Sequence, residues 1–220
     1  MIKTVSIVTH KITCNDQVLE LTNQRVIYWE AQESLILSDL HIGKSAHFQK
    51  SGIPIPSSVL DDDLDRLKQL ITHFKAKTLI IVGDLFHAEY NKDLDQFKTW
   101  LSNFNELNLK LIKGNHDRLK HSIYDQFKIE VYQPSLEIDC VKFVHDSIKP
   151  TENCFTISGH LHPGVSIKGK GRQRIKLPCF QVTNNQLILP AFSLFTGLNT
   201  QKNFDKCQNF CFTEDGIFEV

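Results

Sequence analysis

The chain has 220 residues and 41% apolar content, enough for a substantial core, which excludes a disordered chain and a small disulfide scaffold. Lys and Arg together number 25, as do Asp and Glu, so any affinity for nucleic acid must come from a local patch and not from global charge. The six cysteines are scattered without a C-x-x-C pair, no apolar run reaches the ~18 residues of a spanning helix, and the N-terminus has no signal-peptide pattern; a single domain over residues 1–220, cytoplasmic and with reduced thiols, is expected.

In chain order, Val5–Val8, Val18–Leu21 and Arg25–Trp29 read as short strands, with turns at Asn15-Asp16 and Thr22-Asn23. Ser34–Ser38 is the next strand. Gly43–Pro56 reads as a loop feeding a helix that Ser57 or Ser58 caps, with Asp61, Asp62 and Asp63 favoured near its first turn by the dipole. Leu60, Leu64, Leu67, Leu70, Ile71 and Phe74 give that helix an apolar stripe. Leu79–Val82 predicts a strand buried on both faces, Lys92–Phe104 a helix, and Leu109–Lys113 a strand. This strand–helix alternation implies parallel pairing with right-handed crossovers. After a short helix over Leu119–Phe127 the character changes. Ile129–Tyr132, Leu136–Ile138, Val141–Val144, Phe155–Ser158, Val165–Lys168, Arg174–Leu177, Gln186–Leu189, Cys207–Phe212 and Gly216–Val220 all read as short strands, mostly antiparallel. Two sheets packed face to face with helices outside accommodate both halves.

The chemistry lies at the strand ends. Ser34–Ser38 runs into Asp39-Leu40-His41, and Leu79–Val82 into Gly83-Asp84. Leu109–Lys113 runs into Gly114-Asn115-His116-Asp117, and Phe155–Ser158 into Gly159-His160-Leu161-His162. Ligands in α/β sheets bind outside the carboxyl ends of strands. Singly, each string is more simply a turn or an ordinary histidine. Four such ends in one chain point instead to a shared cluster with Asp84 at its centre. In an extended segment His160 and His162 would point to one side, roughly 6.5–7 Å apart, so each could reach one of two metals ~3.5–4 Å apart.

These strings, with His145 after Val141–Val144, resemble the signature of the calcineurin-like metallophosphoesterases. Ser38–Lys44, Gly52–Pro56, Gly83–His87, Leu177–Phe180 and Leu189–Phe192 are similar to the ligase-associated DNA damage response endonucleases within that superfamily. The resemblance implies a four-layer αββα sandwich, two mixed β-sheets flanked by helices. It implies one metal held by Asp39, His41, Asp84 and His162, and a second by Asp84, Asn115, His145 and His160, with Asp84 bridging. It also implies His116 as the phosphate-contacting catalytic residue, with Asp117 orienting its ring; His87 is given no role. Imidazole, carboxylate and amide donors without thiolate suit manganese, iron or zinc, and the resemblance favours manganese.

The expected activity is phosphodiester hydrolysis, most simply of single-stranded or irregular DNA by a repair endonuclease, with a DNA ligase or helicase as partner. A nucleotide or cyclic-nucleotide phosphoesterase is the alternative, and a non-catalytic interaction module of this fold a further one. Lys168, Lys170, Arg172, Arg174 and Lys176 alternate just after the His-x-His string. Lys170, Arg172 and Arg174 either grip a nucleic-acid backbone or blunt a solvated hairpin against edge pairing; the sequence leaves both open.

Overall fold

The structure, a computed structural model, describes residues 4–56, 58–87, 89–146, 154–201 and 207–220. One sheet holds β1 (Thr9–Cys14), β2 (Gln17–Thr22), β3 (Ile27–Trp29), β4 (Ser34–Leu37), β5 (Thr78–Ile81), β6 (Asn108–Ile112) and β7 (Ile129–Tyr132), side by side in chain order. Pairing is antiparallel from β1 to β4 and parallel from β4 to β7. Helices α1 (Lys44–Lys50), α2 (Ser58–Phe74), α3 (Lys92–Leu101) and α4 (His121–Gln126) lie in the crossovers between the parallel strands. The second sheet holds β8 (Ser135–Ile138), β9 (Val141–Val144), β10 (Phe155–Ser158), β11 (Gly164–Lys168), β12 (Arg174–Val182), β13 (Gln186–Ile188), β14 (Gln208–Phe212) and β15 (Ile217–Glu219). Its order is β15-β14-β12-β13-β10-β9-β8, with β11 paired to β12.

Alternation along the strands builds two apolar layers. Leu35, Leu37, Leu79, Ile81, Leu109 and Leu111 face outward and meet Leu64, Leu67 and Leu70 of α2, Phe97 of α3 and Tyr124 of α4. Ile36, Ile80, Val82 and Ile112 face the other way, against Phe143, Phe155, Ile157, Phe180 and Leu187 of the second sheet. This is the sandwich of two mixed sheets with flanking helices expected from the sequence. Among the described residues, the helices packed on a sheet face all lie on the first one.

Several expectations shift in detail. Val5–Val8 is irregular, and Thr9–Cys14 pairs with β2 instead across a turn in which Asn15 and Asp16 are left-handed (φ 49° and 62°). The expected loop Gly43–Pro56 contains α1, anchored where Asp93 Oδ2 accepts Ala46 N–H (3.0 Å) and Asn91 donates to Gly43 O (3.1 Å). Those are tertiary contacts that local pattern does not encode. Of the two candidate caps for α2, Ser57 lies outside the described residues. β7 joins the first sheet, parallel to β6, and β9, β10 and β13 are also mutually parallel, so the second half is less antiparallel than its pattern implied.

Candidate metal centre

β4, β5 and β6 are parallel neighbours in one sheet, as β9 and β10 are in the other, so the strings at their carboxyl ends open on the same edge of the sandwich. The segments beyond β4 and β5 stay paired. Asp39 N–H donates to Gly83 O (3.1 Å), His41 N–H to Asp84 O (2.9 Å) and Ile42 N–H to Leu85 O (2.8 Å). Two sets of donor atoms gather there. Asp39, His41 and His162 form one and Asp84, His145 and His160 the other, each with its atoms within 4.8 Å of one another. Asn115 Oδ1 lies 3.1 Å from His145 Nε2 and so borders the second set. The sets interlock, because His160 N–H donates to Asp39 Oδ2 (3.1 Å) across them.

The backbone here is not extended as the His-x-His spacing had implied. Asp39 (φ 58°), His41 (51°), Asp84 (52°), His160 (66°) and His162 (47°) are all left-handed. Each such residue costs ~1–2 kcal/mol, a cost that persists only where surrounding structure enforces it and that clusters at functional sites. The turn sends His160 and His162 into different sets instead of onto one face. Glycines supply the space. A Cβ on Gly83 would overlap the His145 ring, and one on Gly114 would overlap Asp84 Oδ1.

Asp39 is fully buried, and no hydrogen bond reaches its Oδ1, although His162 Nε2 lies 3.0 Å and His41 Nε2 3.9 Å away. A buried carboxylate oxygen with two imidazole nitrogens turned toward it and no donor aligned on it is a site that a cation completes. Electrostatics agree. Burial alone would raise Asp84, but the hydrogen bond and charge of His145, with the His116 N–H, pull it down to about 2. Burial would likewise lower His145, but Asp84 pushes it up to about 9. His41 is held down at about 3 by burial, against the opposing charges of Asp39 and Asp84, and is neutral at physiological pH.

His116 and Asp117 divide their work differently from expectation. The Asp117 carboxylate does not bond the His116 ring. It accepts Phe86 N–H and Gly114 N–H (both 2.9 Å), holding together the loops that follow β5 and β6. Two backbone donors in a buried place needed an acceptor, and Asp117, pushed up to about 6 by burial, supplies it. The His116 ring instead stacks on His87 (centroids 4.9 Å, 18°), and His87 Nδ1 lies 3.4 Å from His41 Nδ1. His87, left without a role by the sequence, thus touches both a candidate ligand and His116. Lys170, Arg172 and Arg174 lie exposed on or beside the β11–β12 turn, in a hairpin that begins two residues after His162. Lys168 pairs directly with Arg174, and no acidic residue occurs from Gly164 to Pro178.

Residues 34–186, more than half of the chain, match the calcineurin-like phosphoesterase family. The crystal structure of Pseudomonas putida nuclease MPE is similar over 97% of this chain and 100% of its own, with a TM-score of 0.82 and 27% sequence identity. A protein of unknown function from Aquifex aeolicus, AQ665, is similar over 63% of this chain and 82% of its own, with a TM-score of 0.44 and 19% identity. No curated protein sequence matches the chain.

Proposed function

The chain belongs to the calcineurin-like phosphoesterase family, and from that premise we propose that it is a metal-dependent DNA endonuclease of a repair system, with residues 1–220 acting as one domain. The hydrolase class follows from the family, which uses a dinuclear metal centre. The nucleic-acid substrate is supported by the likeness to the Pseudomonas putida nuclease and by an open site. Asn115 is exposed, and His116, His160 and His162 are partly so. A nucleotide phosphoesterase would enclose its small substrate, and that openness argues against one. A non-catalytic module has no need of the complete donor set present here. The repair role, single-stranded or irregular DNA as target, and a ligase or helicase partner rest on the resemblance of the motifs.

The observation that carries the reading is the buried, hydrogen-bond-free Asp39 Oδ1 facing two imidazoles, beside a second set centred on Asp84. Asp39, His41, Asp84 and His162 would hold one cation, and Asp84, Asn115, His145 and His160 the other. Manganese is favoured, with iron or zinc as alternatives, because the donors are nitrogen and oxygen without thiolate. When bound, two cations stabilise the attacking and leaving oxygens of an in-line displacement and make water a better nucleophile. The chain's own groups do the rest. Asp84, a member of the second set, would be shared with the first, and its Oδ1 is fixed by His116 N–H (2.8 Å). Asp117 holds the two loops in register. His116, with its ring 5.3 Å from that of His41, contacts the phosphate and passes a proton to the departing oxygen. No helix among the described residues is long and apolar enough to cross a membrane, and the proposed cytoplasmic setting rests on the sequence reading.

Cleavage of circular single-stranded DNA with manganese is the test, comparing wild type with Asp84→Asn. A circle has no ends, so nicking establishes endonuclease action. Wild type should linearise the circle and Asp84→Asn should leave it intact; an equally active variant would refute the bridging role, and an untouched circle in both would refute the endonuclease.

A further inference from the structure

A row of rings leads away from the candidate ligands. The His87 ring, stacked on His116, lies nearly parallel to Phe48 of α1 (6.3 Å, 21°), and Phe195 meets Phe48 edge-on (6.0 Å, 90°). Lys44 sits with Nζ 5.3 Å from the centre of the Phe195 ring and donates to Phe195 O (2.9 Å). The row ends at the surface, where Phe48 and Phe195 are half-buried and Leu194 is 55% exposed.

Scattered exposed apolar residues need no explanation, but this group is held in place by buried charge. Arg66, 5% exposed, donates to Asp63 Oδ1 (2.7 Å) and to Phe192 O (2.5 Å), and its guanidinium lies 4.1 Å from the Phe192 ring centre. Asp63 Oδ1 in turn accepts Leu194 N–H (3.3 Å), and Arg25 donates to Ala191 O (2.9 Å). Burying the Arg66 guanidinium and the Asp63 carboxylate, with half-buried Arg25 beside them, to fix a surface loop is costly. The loop is therefore preorganised, with an aromatic ring and a cation presented beside the catalytic edge.

We propose that Phe48 and Phe195 stack against unpaired bases of the strand being cut, with Lys44 placed for its phosphates. The proposal rests on the reading that the substrate is nucleic acid. Its ligand is a single strand, because the faces of paired bases are covered by their neighbours, whereas unpaired bases stack on aromatic rings with little regard to sequence. The same rings would therefore disfavour intact duplex, which gives the site a physical basis for choosing unpaired DNA.

The test is a fluorescence-anisotropy titration in EDTA of labelled oligothymidylate and of an abasic oligomer of equal length, which has the same phosphates and no bases. Wild type should bind oligothymidylate about ten-fold more tightly than the abasic strand. Phe48→Leu and Phe195→Leu, which keep apolar bulk but lose the ring, should lose most of that preference, and Phe195→Tyr should keep it. Equal binding of the two strands by wild type, or a preference that survives both leucine variants, overturns the stacking role. Turnover with manganese separates this from the underlying reading. Wild type that hydrolyses bis(p-nitrophenyl) phosphate but cuts no oligonucleotide overturns the nucleic-acid substrate and stacking together, whereas efficient cutting without base preference overturns stacking alone.

Discussion

Arg66→Met tests the buried pair that anchors the loop over the site. Asp63 and Arg66 are 2% and 5% exposed, and burial acts on both, raising the Asp63 carboxyl and lowering the Arg66 guanidinium against their mutual attraction. Such a pair adds little net stability while intact, yet breaking it costs ~3–5 kcal/mol because a charge is stranded. Asp63 would retain Leu194 N–H, Ser193 and the charge of Arg25, which places the loss near the lower end, ~3 kcal/mol. For a chain of this length that is a fall in Tm of ~6–12 °C. Methionine preserves most of the volume, so the effect reports charge and hydrogen bonding more than a cavity. The double variant Asp63→Leu with Arg66→Met should recover most of the loss, since neither charge is then left behind. Circular dichroism melts in EDTA give the readout. An Arg66→Met protein within ~1 kcal/mol of wild type, or a double variant no better than the single one, refutes the reasoning.

Gly114→Ala must move the Gly114–Asp84 approach by about 1 Å, so kcat should fall ~100-fold with manganese uptake weakened, as measured by turnover and calorimetry. Manganese at 100 times its Kd should stabilise by ~2.7 kcal/mol, about 5–10 °C in Tm, and this gain should shrink as pH falls through about 9, where a proton on His145 competes with the metal. In EDTA the sign reverses: His145 is raised from 6.5 to about 9, so the stability it lends is complete below pH 6.5 and disappears as pH rises through about 9. A metal-free Tm that climbs between pH 7 and 9.5 would contradict the Asp84–His145 pairing. Replacing Lys170, Arg172 and Arg174 together by Ala should lower the slope of log affinity for single-stranded DNA against log salt by about 2, and an unchanged slope favours a hairpin that merely resists edge pairing.

Short strings at strand ends made the donors readable, because parallel strands deliver their C-termini to one edge and the chemistry needs Asp, Asn and His there. His145 could be found only by its place after Val141–Val144, yet it sits beside Asp84. What spacing could not carry was backbone conformation. The left-handed φ of His160 and His162 separates two rings that an extended segment would align. Nor could it show that Asp117 serves the backbone of Phe86 and Gly114, since an Asp beside a His reads equally well as a partner for its ring. Phe48, Arg66 and Phe195 went unnoticed for a similar reason. Phe48 falls in a stretch that reads as loop, Arg66 on a helix and Phe195 in no expected element, and only the fold brings α1 and the 190–195 loop together.

The proposed ligands divide between the sheets, with Asp39, His41, Asp84 and Asn115 following strands of the first and His145, His160 and His162 following strands of the second. β10, which delivers the last two, is itself flanked by β9 and β13, so its place in the sheet is complete only once Ile188 has been made. On a ribosome, the helix-covered face of the first sheet could form long before both candidate donor sets are assembled. Chains ending before β10 would hold neither donor set complete.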